Sequence, residues 1–273
     1  MSDDVQSVGS ESGGGGRDLN RALIPAVLAL AVPAIIVCSL LFWLIPGPWW
    51  LGIPVGLAIA AGAVWLRVRR ADEIVLSRLG GGLLHPDGAV RLENLVQGLS
   101  LAGGVVEPGM TVLSDQARNA MAVRRNGRNH LVVTQGLLES LEVVELEGLV
   151  AELLTRLKNG DAEAATVGAA LYGGPILDGP LASVLGPVAR TLLGGLLDAD
   201  RDLEADRQAV SLTRYPPGLL GALAAMRRGD VSPAADSAGL SHLWIADPDV
   251  ADAPQGAAAR ASLGLRIDIL AEL

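Results

Sequence analysis

Two long apolar runs set the beginning of the chain apart from the rest. From Ala22 to Ile45 almost every residue is apolar and none is charged, and a second apolar run extends from Trp49 to Leu66. Each run approaches the ~20 residues that an α-helix needs to cross a bilayer. The intervening Pro46-Gly47-Pro48 interrupts helix and favours a tight turn. The pattern therefore predicts a transmembrane hairpin over residues 22–66, although a pair of buried core helices would give the same pattern.

Basic residues flank the predicted hairpin on both sides. Arg17 and Arg21 precede the first run, and Arg67, Arg69 and Arg70 follow the second. The positive-inside rule then puts both ends in the cytoplasm. We expect a multi-pass protein of the bacterial cytoplasmic (inner) membrane, in contact with membrane lipid, whose N-terminus and C-terminal domain are cytoplasmic. Residues 1–20, which are rich in Gly, Ser and acidic residues, predict a disordered tail.

Beyond Leu66 the apolar positions follow the shorter periods of a globular domain. Short β-rich runs cover residues 110–114, 119–123 and 130–134, with a polar turn at Arg125-Asn-Gly-Arg128. Helical spacing covers residues 71–79, 89–102, 135–160, 198–213 and 217–228. The predicted fold class is α+β and mainly helical, with a small β-sheet. Residues 231–273 are predicted to be a C-terminal tail that ends in a terminal helix.

The segment 162–197 leaves two alternatives open. It is rich in Ala, Gly and Leu, but Pro175, Pro180 and Pro187 cut it into pieces shorter than a full membrane span. Interfacial or core-packed helices fit these pieces, and a further membrane hairpin is the alternative.

Composition and charge narrow the classes of function. Hydrophobic residues make up 50% of the chain and the mean hydropathy is +0.41, which is too apolar for an ordinary soluble domain. The net charge of −9 excludes nucleic acid as an expected partner, since a phosphate backbone calls for clustered Lys and Arg. Cys38 is the only cysteine, so a disulfide framework and a cysteine-based zinc site are excluded.

Four linked motifs then indicate a family. The segment from Leu146 to Asp161 reads LEGLVAELLTRLKNGD and resembles, without a gap, the active-site helix L-E-x-V-L-A-H-E-L-x-H-I-x-N-x-D of the HtpX-like membrane-anchored zinc metalloproteases, which are gluzincins. Asn119-Ala-Met-Ala resembles the N-A-F-A strand of that family, and the segment 132–139 resembles its V-x-V-T-x-G-L-L-E stretch. The segment 201–213 is similar to its R-E-x-x-A-D-x-x-A-V-x-L-T helix. The resemblance implies a zincin-like metalloprotease domain over residues 67–230, with a weak echo at Arg266-Ile267.

The residues at the family's zinc positions differ from the family pattern. Two histidines and a later glutamate bind zinc in the family, and a glutamate beside the first histidine is the general base. In this sequence Glu152 and Arg156 stand where the family has its two histidines, and Asp202 stands where it has the later glutamate. Leu153 stands where the family has the general base. Arginine offers no lone pair to a metal, and leucine cannot accept a proton. A shift of one residue brings Ala151 and Thr155 to the histidine positions, which is no better, and His85, His130 and His242 read as surface or strand residues. We therefore expect a degenerate member without zinc or another cofactor that is not an enzyme.

The same positions suggest what replaces the metal. We expect the Arg156 guanidinium to bridge Glu152 and Asp202, whereas the alternative is an ordinary solvated charged face. The leading function is a pseudoprotease that acts as a binding, scaffold or regulatory protein for a protein or peptide partner. Its candidate peptide-pairing edge strand is Asn119, Ala120, Met121, Ala122 and Val123, although this strand could be retained for folding alone. Two alternatives stay open: an active metallopeptidase with a carboxylate metal site made of Glu152, Asp161 and Asp202, and a structural subunit of a larger membrane complex.

Overall fold

A computed structural model describes most of the chain beyond its N-terminal tail. The described residues are 31–32, 34–41, 43–44, 48–79, 83–84, 90–173, 183, 186–187, 191, 193, 199–235, 239–248 and 260–273. The predicted tail at 1–20, the beginning of the first apolar run, His85 and most of the segment 174–198 lie outside these residues. The chain divides into two units, Met1–Leu66 and Arg67–Leu273.

The first unit contains two helical segments that lie side by side. Described residues between 31 and 44 are helical, and after the 3₁₀ turn Trp49–Leu51 comes α1, Gly52–Arg69. A Cβ atom added to Gly52 would lie 2.5 Å from the Cα atom of Ser39, and one added to Gly56 would lie 2.6 Å from the Cα atom of Ile35. The two segments therefore run in opposite directions, and the two glycines allow their backbones to approach closely. Among the described helices, α1 alone is long and apolar enough to span a membrane; the crossing of the membrane by a hairpin stays a prediction.

The second unit joins a small sheet to a larger set of helices. Its strands are β1 (Leu83–Leu84), β2 (Gly109–Leu113), β3 (Ala120–Arg125) and β4 (Arg128–Thr134). Its helices are α2 (Ala71–Arg78), α3 (Val90–Gly103), α4 (Gln135–Ser140), α5 (Val143–Asn159), α6 (Asp161–Tyr172), α7 (Ala199–Thr213), α8 (Pro216–Arg227) and α9 (Leu263–Ala271). The mainly helical content with a small sheet confirms that part of the predicted fold class. That the helices and strands adopt a zincin-like arrangement stays a prediction.

The sheet has the strand order β1-β2-β4-β3, which leaves β3 at one side. β2 pairs parallel with β4, and β3 pairs antiparallel with β4 from Ala120↔Val133 to Arg125↔Arg128. Asn126 and Gly127 connect β3 to β4 with φ angles of 50° and 76°. An Asn-Gly pair accepts these positive φ angles, which fit a two-residue hairpin turn. The predicted polar turn is thus confirmed, and it fixes the register of β3.

One predicted helix is divided in two. Sequence periodicity indicates a single helix over 135–160, but Leu141 and Glu142 are extended and separate α4 from α5. Glu142 begins α5 as its N-cap: its backbone N–H donates to Glu145 Oε2 at 2.9 Å in a capping box. At the other end Gly160, with φ 84°, closes α5 and opens α6. α5 is consequently a separate, well-delimited helix that carries Glu152 and Arg156.

α5 is the central helix of the core. It contacts α8, α7 and α3, and it contributes more side chains to the main hydrophobic cluster than any other element. Gly148 is needed at the contact with α8, because a Cβ atom there would lie 2.4 Å from the backbone nitrogen of Leu219.

The next helix, α6, is connected to the sheet. Its Thr166 hydroxyl accepts a hydrogen bond at 3.2 Å from the backbone N–H of Arg124 in β3.

The C-terminal part of the chain belongs to the second unit. Within residues 231–273, for which the sequence predicts a tail and a terminal helix, that helix is present as α9. Leu240 to Asp247, which we call the strap, is buried throughout, and Trp244 is completely buried. Periodicity could not find the strap, because it is neither helix nor regular strand and contains polar residues.

Candidate functional site

Six charged side chains meet between α5, α7 and the C-terminal region, and all of them except Arg156 are buried. Glu152 and Arg156 lie on α5, and Asp202 and Asp206 lie on α7. In both helices the two positions are four residues apart, so the two side chains share one helix face. The remaining members are Arg260, just before α9, and Arg266 in α9. We call this set the ion-pair cluster: Glu152, Arg156, Asp202, Asp206, Arg260 and Arg266.

Arg156 connects the two helices as predicted. Its Nε and Nη2 atoms donate to Glu152 Oε1 at 3.0 and 2.9 Å, and Nη2 also donates to Asp202 Oδ1 at 2.8 Å. The Glu152 side chain is 0% exposed and that of Arg156 is 13% exposed. These contacts confirm the predicted bridge and contradict the alternative of a solvated charged face.

Two further arginines, which the sequence analysis did not assign, complete the cluster. Arg260 donates from Nε and Nη2 to the two oxygens of Asp202 at 3.1 and 3.0 Å. Arg266 donates from Nε and Nη2 to the two oxygens of Asp206 at 2.8 and 2.6 Å. Both pairs are bidentate, the geometry that guanidinium groups favour with carboxylates. Asp206 could have been found from the sequence, because it lies four residues after Asp202 and so shares its helix face. No local pattern in the sequence indicated that Arg260 and Arg266 would pair with these carboxylates.

The cluster is balanced in charge and protected from water. Within the six side chains three carboxylates face three guanidinium groups, which compensates much of the cost of burying each charge, and a fourth carboxylate, Asp247 Oδ2, lies 3.9 Å from Arg260 Nη1. Burial alone would raise the pKa of Asp202, but Arg260 and Arg156 hold it well below its usual range. Burial raises the pKa of Asp206 to about 6 although Arg266 opposes this shift. The two carboxylates therefore respond to pH in opposite directions.

Leu153, which the motif resemblance matches to the family's general-base position, does not belong to the ion-pair cluster. Its side chain is completely buried and belongs to the main hydrophobic cluster. A narrow cleft with room for roughly one water molecule borders the ion-pair cluster at Arg156 and Asp202. Its lining includes Ala122 of β3, Asp161, Arg201, His242 and Arg260.

The predicted peptide-pairing strand lies beside this cleft. Asn119 and the following four residues are buried, and they form the beginning of β3 and the residue before it. The strap covers part of its outer edge: the backbone N–H of Ile245 donates to the Ala120 carbonyl at 2.8 Å, and Met121 forms an antiparallel bridge with Trp244. The predicted edge strand is therefore partly covered by the protein's own chain. Its role in binding a peptide stays a prediction.

The side chains around Glu152 do not fit a zinc ion in this arrangement. Zinc takes about four N, S or O ligands. Glu152 Oε1 and both oxygens of Asp202 accept hydrogen bonds from arginines, and Glu152 Oε2 is the one oxygen of these two groups without a partner among the described residues. No group of three His, Cys, Asp or Glu side chains that could hold a metal occurs in the described part of the chain.

The alternative carboxylate site and the histidines do not provide a metal site either. Asp161 lies 3.3 Å from the Arg201 guanidinium, so a second arginine would oppose a cation at this site. His130 Nε2 is hydrogen bonded to the Thr111 hydroxyl at 2.6 Å, and burial lowers its pKa. His242 Nε2 is 3.1 Å from the Ala165 carbonyl oxygen. Both histidines are therefore held by other parts of the fold.

The chain is similar in sequence to several bacterial proteins that share the name Protease HtpX homolog. The chain is 30% identical over 199 residues to a protein of Dictyoglomus turgidum named Protease HtpX homolog, covering 63% of this chain and 66% of the relative. A protein of the same name from Dictyoglomus thermophilum is 31% identical over 198 residues, which are 63% and 65% of the two chains. One from Tropheryma whipplei is 29% identical over 219 residues, which are 70% and 75%. The chain thus spans just under two thirds of the Dictyoglomus relatives. No family model and no solved structure matches it.

These names correct two predictions. The relatives are named proteases, which points to a peptidase and gives no sign of inactivity, so the prediction that the chain is not an enzyme is contradicted. Zinc is the metal expected of HtpX-like proteases, so the prediction that no cofactor is needed is contradicted as well. The side chains described above and the expected metal therefore disagree in this arrangement.

Proposed function

The chain belongs to the HtpX-like family of membrane metalloproteases, and we propose that it is a membrane-anchored member that binds polypeptide segments along the outer edge of β3. Its position is the cytoplasmic membrane, with the N-terminus and the second unit in the cytoplasm. There it acts as a binding, scaffold or regulatory protein for a protein or peptide. The predicted edge residues 119–123 supply the backbone groups for this binding.

One observation carries the proposal: the outer edge of β3 pairs with an extended piece of polypeptide, the strap. The carbonyl of Ala120 accepts from the strap, and the backbone N–H of Arg124 points to α6. Because backbone groups alternate along a strand, the peptide groups of Ala120, Ala122 and Arg124 face away from β4. An edge of this kind binds an extended chain by strand addition, in which main-chain hydrogen bonds give affinity.

The cleft beside Ala122 supports the same proposal. Arg156, Arg201 and Arg260 approach it from α5, from α7 and from the region before α9. Guanidinium groups next to the outer edge of β3 can donate to the carbonyl groups of a polypeptide paired there. Arg260 makes such contacts with the carbonyls of His242 and Trp244 at 3.0 and 2.8 Å.

Cleavage of the bound polypeptide is the second candidate, favoured by the names of the relatives. Zinc would activate a water molecule for the attack on a peptide bond in such a protease. The described side chains around Glu152 do not fit that ion, so no metal-assisted step follows from their arrangement. Binding at β3 is common to both candidates and is therefore tested first.

The test places a photo-crosslinker beside the cleft. Cys38 is the only cysteine, so Cys38→Ser removes the native thiol and a new cysteine can be labelled selectively. In that background Arg201→Cys, at the cleft, carries a benzophenone, and Ser211→Cys is the matched control on the same helix, about 15 Å further along at 1.5 Å per residue. The full-length protein in nanodiscs is irradiated with casein as an unfolded polypeptide.

We expect casein to crosslink at position 201 and not at position 211. Equal labelling at both positions, or at neither, contradicts binding beside β3. The same gels, run without irradiation after incubation with and without added zinc, report cleavage. Fragments that appear only with zinc favour the second candidate.

A further inference from the structure

The strap occupies the part of β3 where a polypeptide would pair, and we infer that it is a built-in competitor of that polypeptide. The strap is Leu240 to Asp247, and it must leave the outer edge of β3 before another chain can enter. This inference rests on the proposed function, since it presumes that the edge binds polypeptide. It adds that the free protein is self-blocked.

The contacts between the strap and β3 imitate a bound peptide. The backbone N–H of Ile245 donates to the Ala120 carbonyl at 2.8 Å, next to the antiparallel bridge between Met121 and Trp244. The Asn119 side chain extends this pairing by one residue, because its amide group bonds the backbone of Ala246 as a strand would. Its Nδ2 donates to the Ala246 carbonyl at 2.6 Å, and its Oδ1 accepts from the Ala246 N–H at 3.1 Å. The strap therefore runs antiparallel to β3.

Trp244 is the largest of the strap side chains that pack into the core. Trp244 is completely buried in a second hydrophobic cluster with Met121, Val123 and Val132 of the sheet. An aromatic ring brings the largest apolar contribution that a single residue can make to such a contact. A competing polypeptide is expected to be extended and to offer a bulky apolar side chain to the same pocket.

Two arginines hold the side of the strap that faces away from β3. Arg260 donates to the carbonyls of His242 and Trp244, and Arg266 Nη1 donates to the Ile245 carbonyl at 3.2 Å. The other donors of the same two guanidinium groups bind Asp202, Asp206 and Glu152. The strap is thus connected directly to the ion-pair cluster, at the residues that take the family's metal positions.

This connection gives the strap two states with different consequences. With the strap on β3, Arg260 and Arg266 are positioned to neutralise the cluster and the edge is blocked. With the strap displaced, three carbonyl acceptors of these arginines are lost, and the edge of Ala120 and Ala122 becomes available. Polypeptide binding at β3 and the arrangement of the cluster are therefore coupled.

A reversible crosslink tests the inference within one protein. The register of Met121 with Trp244 places Ala122 opposite Leu243. Cα atoms of such directly opposed residues are ~5.5 Å apart, within the range of a disulfide. Ala122→Cys with Leu243→Cys, in the Cys38→Ser background, locks the strap when oxidised and frees it when reduced. Ala122→Cys alone is the control for thiol effects, and a second variant, Ile245→Pro, removes the donor to Ala120.

The readouts are the affinity for fluorescein-labelled casein, by anisotropy, and hydrogen exchange of residues 119–125 in full-length protein. We expect the oxidised pair to bind casein about tenfold or more weakly than the reduced pair, and Ile245→Pro to bind about tenfold more tightly than the parent protein. Ile245→Pro should also speed the exchange of residues 119–125.

The outcomes separate this inference from the proposed function. Casein that binds equally to the oxidised and reduced pair overturns the inference and leaves the proposed function standing. Faster exchange in Ile245→Pro without casein binding to any variant overturns the proposed function, and with it the competition. Unchanged exchange and no binding mean that the strap is a fixed part of the core, and the inference is wrong.

Discussion

Arg266 donates a hydrogen bond of 2.5 Å to Glu152, which lies 114 residues earlier in the chain. Both side chains are 0% exposed. The contact joins α9 to the central helix α5, at the position that the motif resemblance matches to the family's first zinc ligand. The Arg266 guanidinium group from the C-terminal region thus contacts α5, the helix that resembles the family's active-site helix.

Replacement of Arg266 by methionine should destabilise the protein strongly. The change leaves Glu152 and Asp206 buried without their shared partner, and breaking a buried ion pair from one side costs about 3–5 kcal/mol. Urea unfolding of wild-type and Arg266→Met protein measures the difference. Adding Glu152→Gln and Asp206→Asn to Arg266→Met should recover part of the loss, because no buried carboxylate is then unpaired. No recovery would indicate that Arg266 acts through packing and not through its charge.

Arg156→Ala should also lower stability, by about 3–5 kcal/mol, because Arg156 is the residue that joins Glu152 to Asp202 across two helices. Arg207→Ala is the matched control on the surface of α7, where the ion pair with Glu204 is exposed on both sides. The control should cost about 0–1 kcal/mol. Thermal melts compare the two variants. Similar melting temperatures for both variants would refute the bridging role of Arg156.

Stability should depend on pH through Asp206. The folded-state pKa of Asp206 is raised to about 6, above its unfolded value, so its contribution is fully present below the unfolded pKa and is lost as pH rises through the folded pKa. Asp202 acts in the opposite sense, because its folded pKa is lowered and its contribution is lost as pH falls. Comparison with Asp206→Asn isolates the first effect.

Relative to Asp206→Asn, the wild-type protein should lose stability between about pH 4 and pH 6, by an amount on the order of 2–3 kcal/mol, and show no further change above that range. The measurement is the unfolding free energy from urea titrations at several pH values. A difference between the two proteins that does not vary over this range would mean that Asp206 is ionised throughout, held so by Arg266.

Local features of the fold could be predicted from the sequence, and distant pairings could not. The Asn126-Gly127 turn and the spacing of Glu152 and Arg156 act within a few residues, so their consequences are visible in the sequence. The break between α4 and α5 was missed because the apolar period continues through it. Arg260 and Arg266 were missed for a different reason. Their partners lie on other helices, and only the packing of α7 and α9 against α5 brings them together.

Gly148 should not tolerate a larger residue. A Cβ atom at this position would lie 2.4 Å from the backbone nitrogen of Leu219, so Gly148→Ala forces α5 and α8 apart at a cost of about 1–3 kcal/mol. Gly98 in α3 is the control, because nothing lies within 4 Å of a Cβ atom added there. Gly98→Ala should be neutral or stabilising by up to about 1 kcal/mol, as expected for an exposed helical glycine. A destabilised Gly98→Ala together with a neutral Gly148→Ala would show that α5 and α8 leave room for a methyl group at Gly148.

The first unit offers a similar comparison in the predicted membrane region. Gly52 and Gly56 are four residues apart and both contact the preceding helical segment, which is the arrangement of small residues that lets helices pack closely in membranes. Gly56→Leu would place its Cβ atom 2.6 Å from the Cα atom of Ile35, whereas Gly62 has open space around it. We expect Gly56→Leu, and not Gly62→Leu, to lower the temperature at which the protein in detergent loses its folded size-exclusion peak. Equal behaviour of the two variants would mean that the two helical segments do not rely on the close approach of their backbones at Gly52 and Gly56.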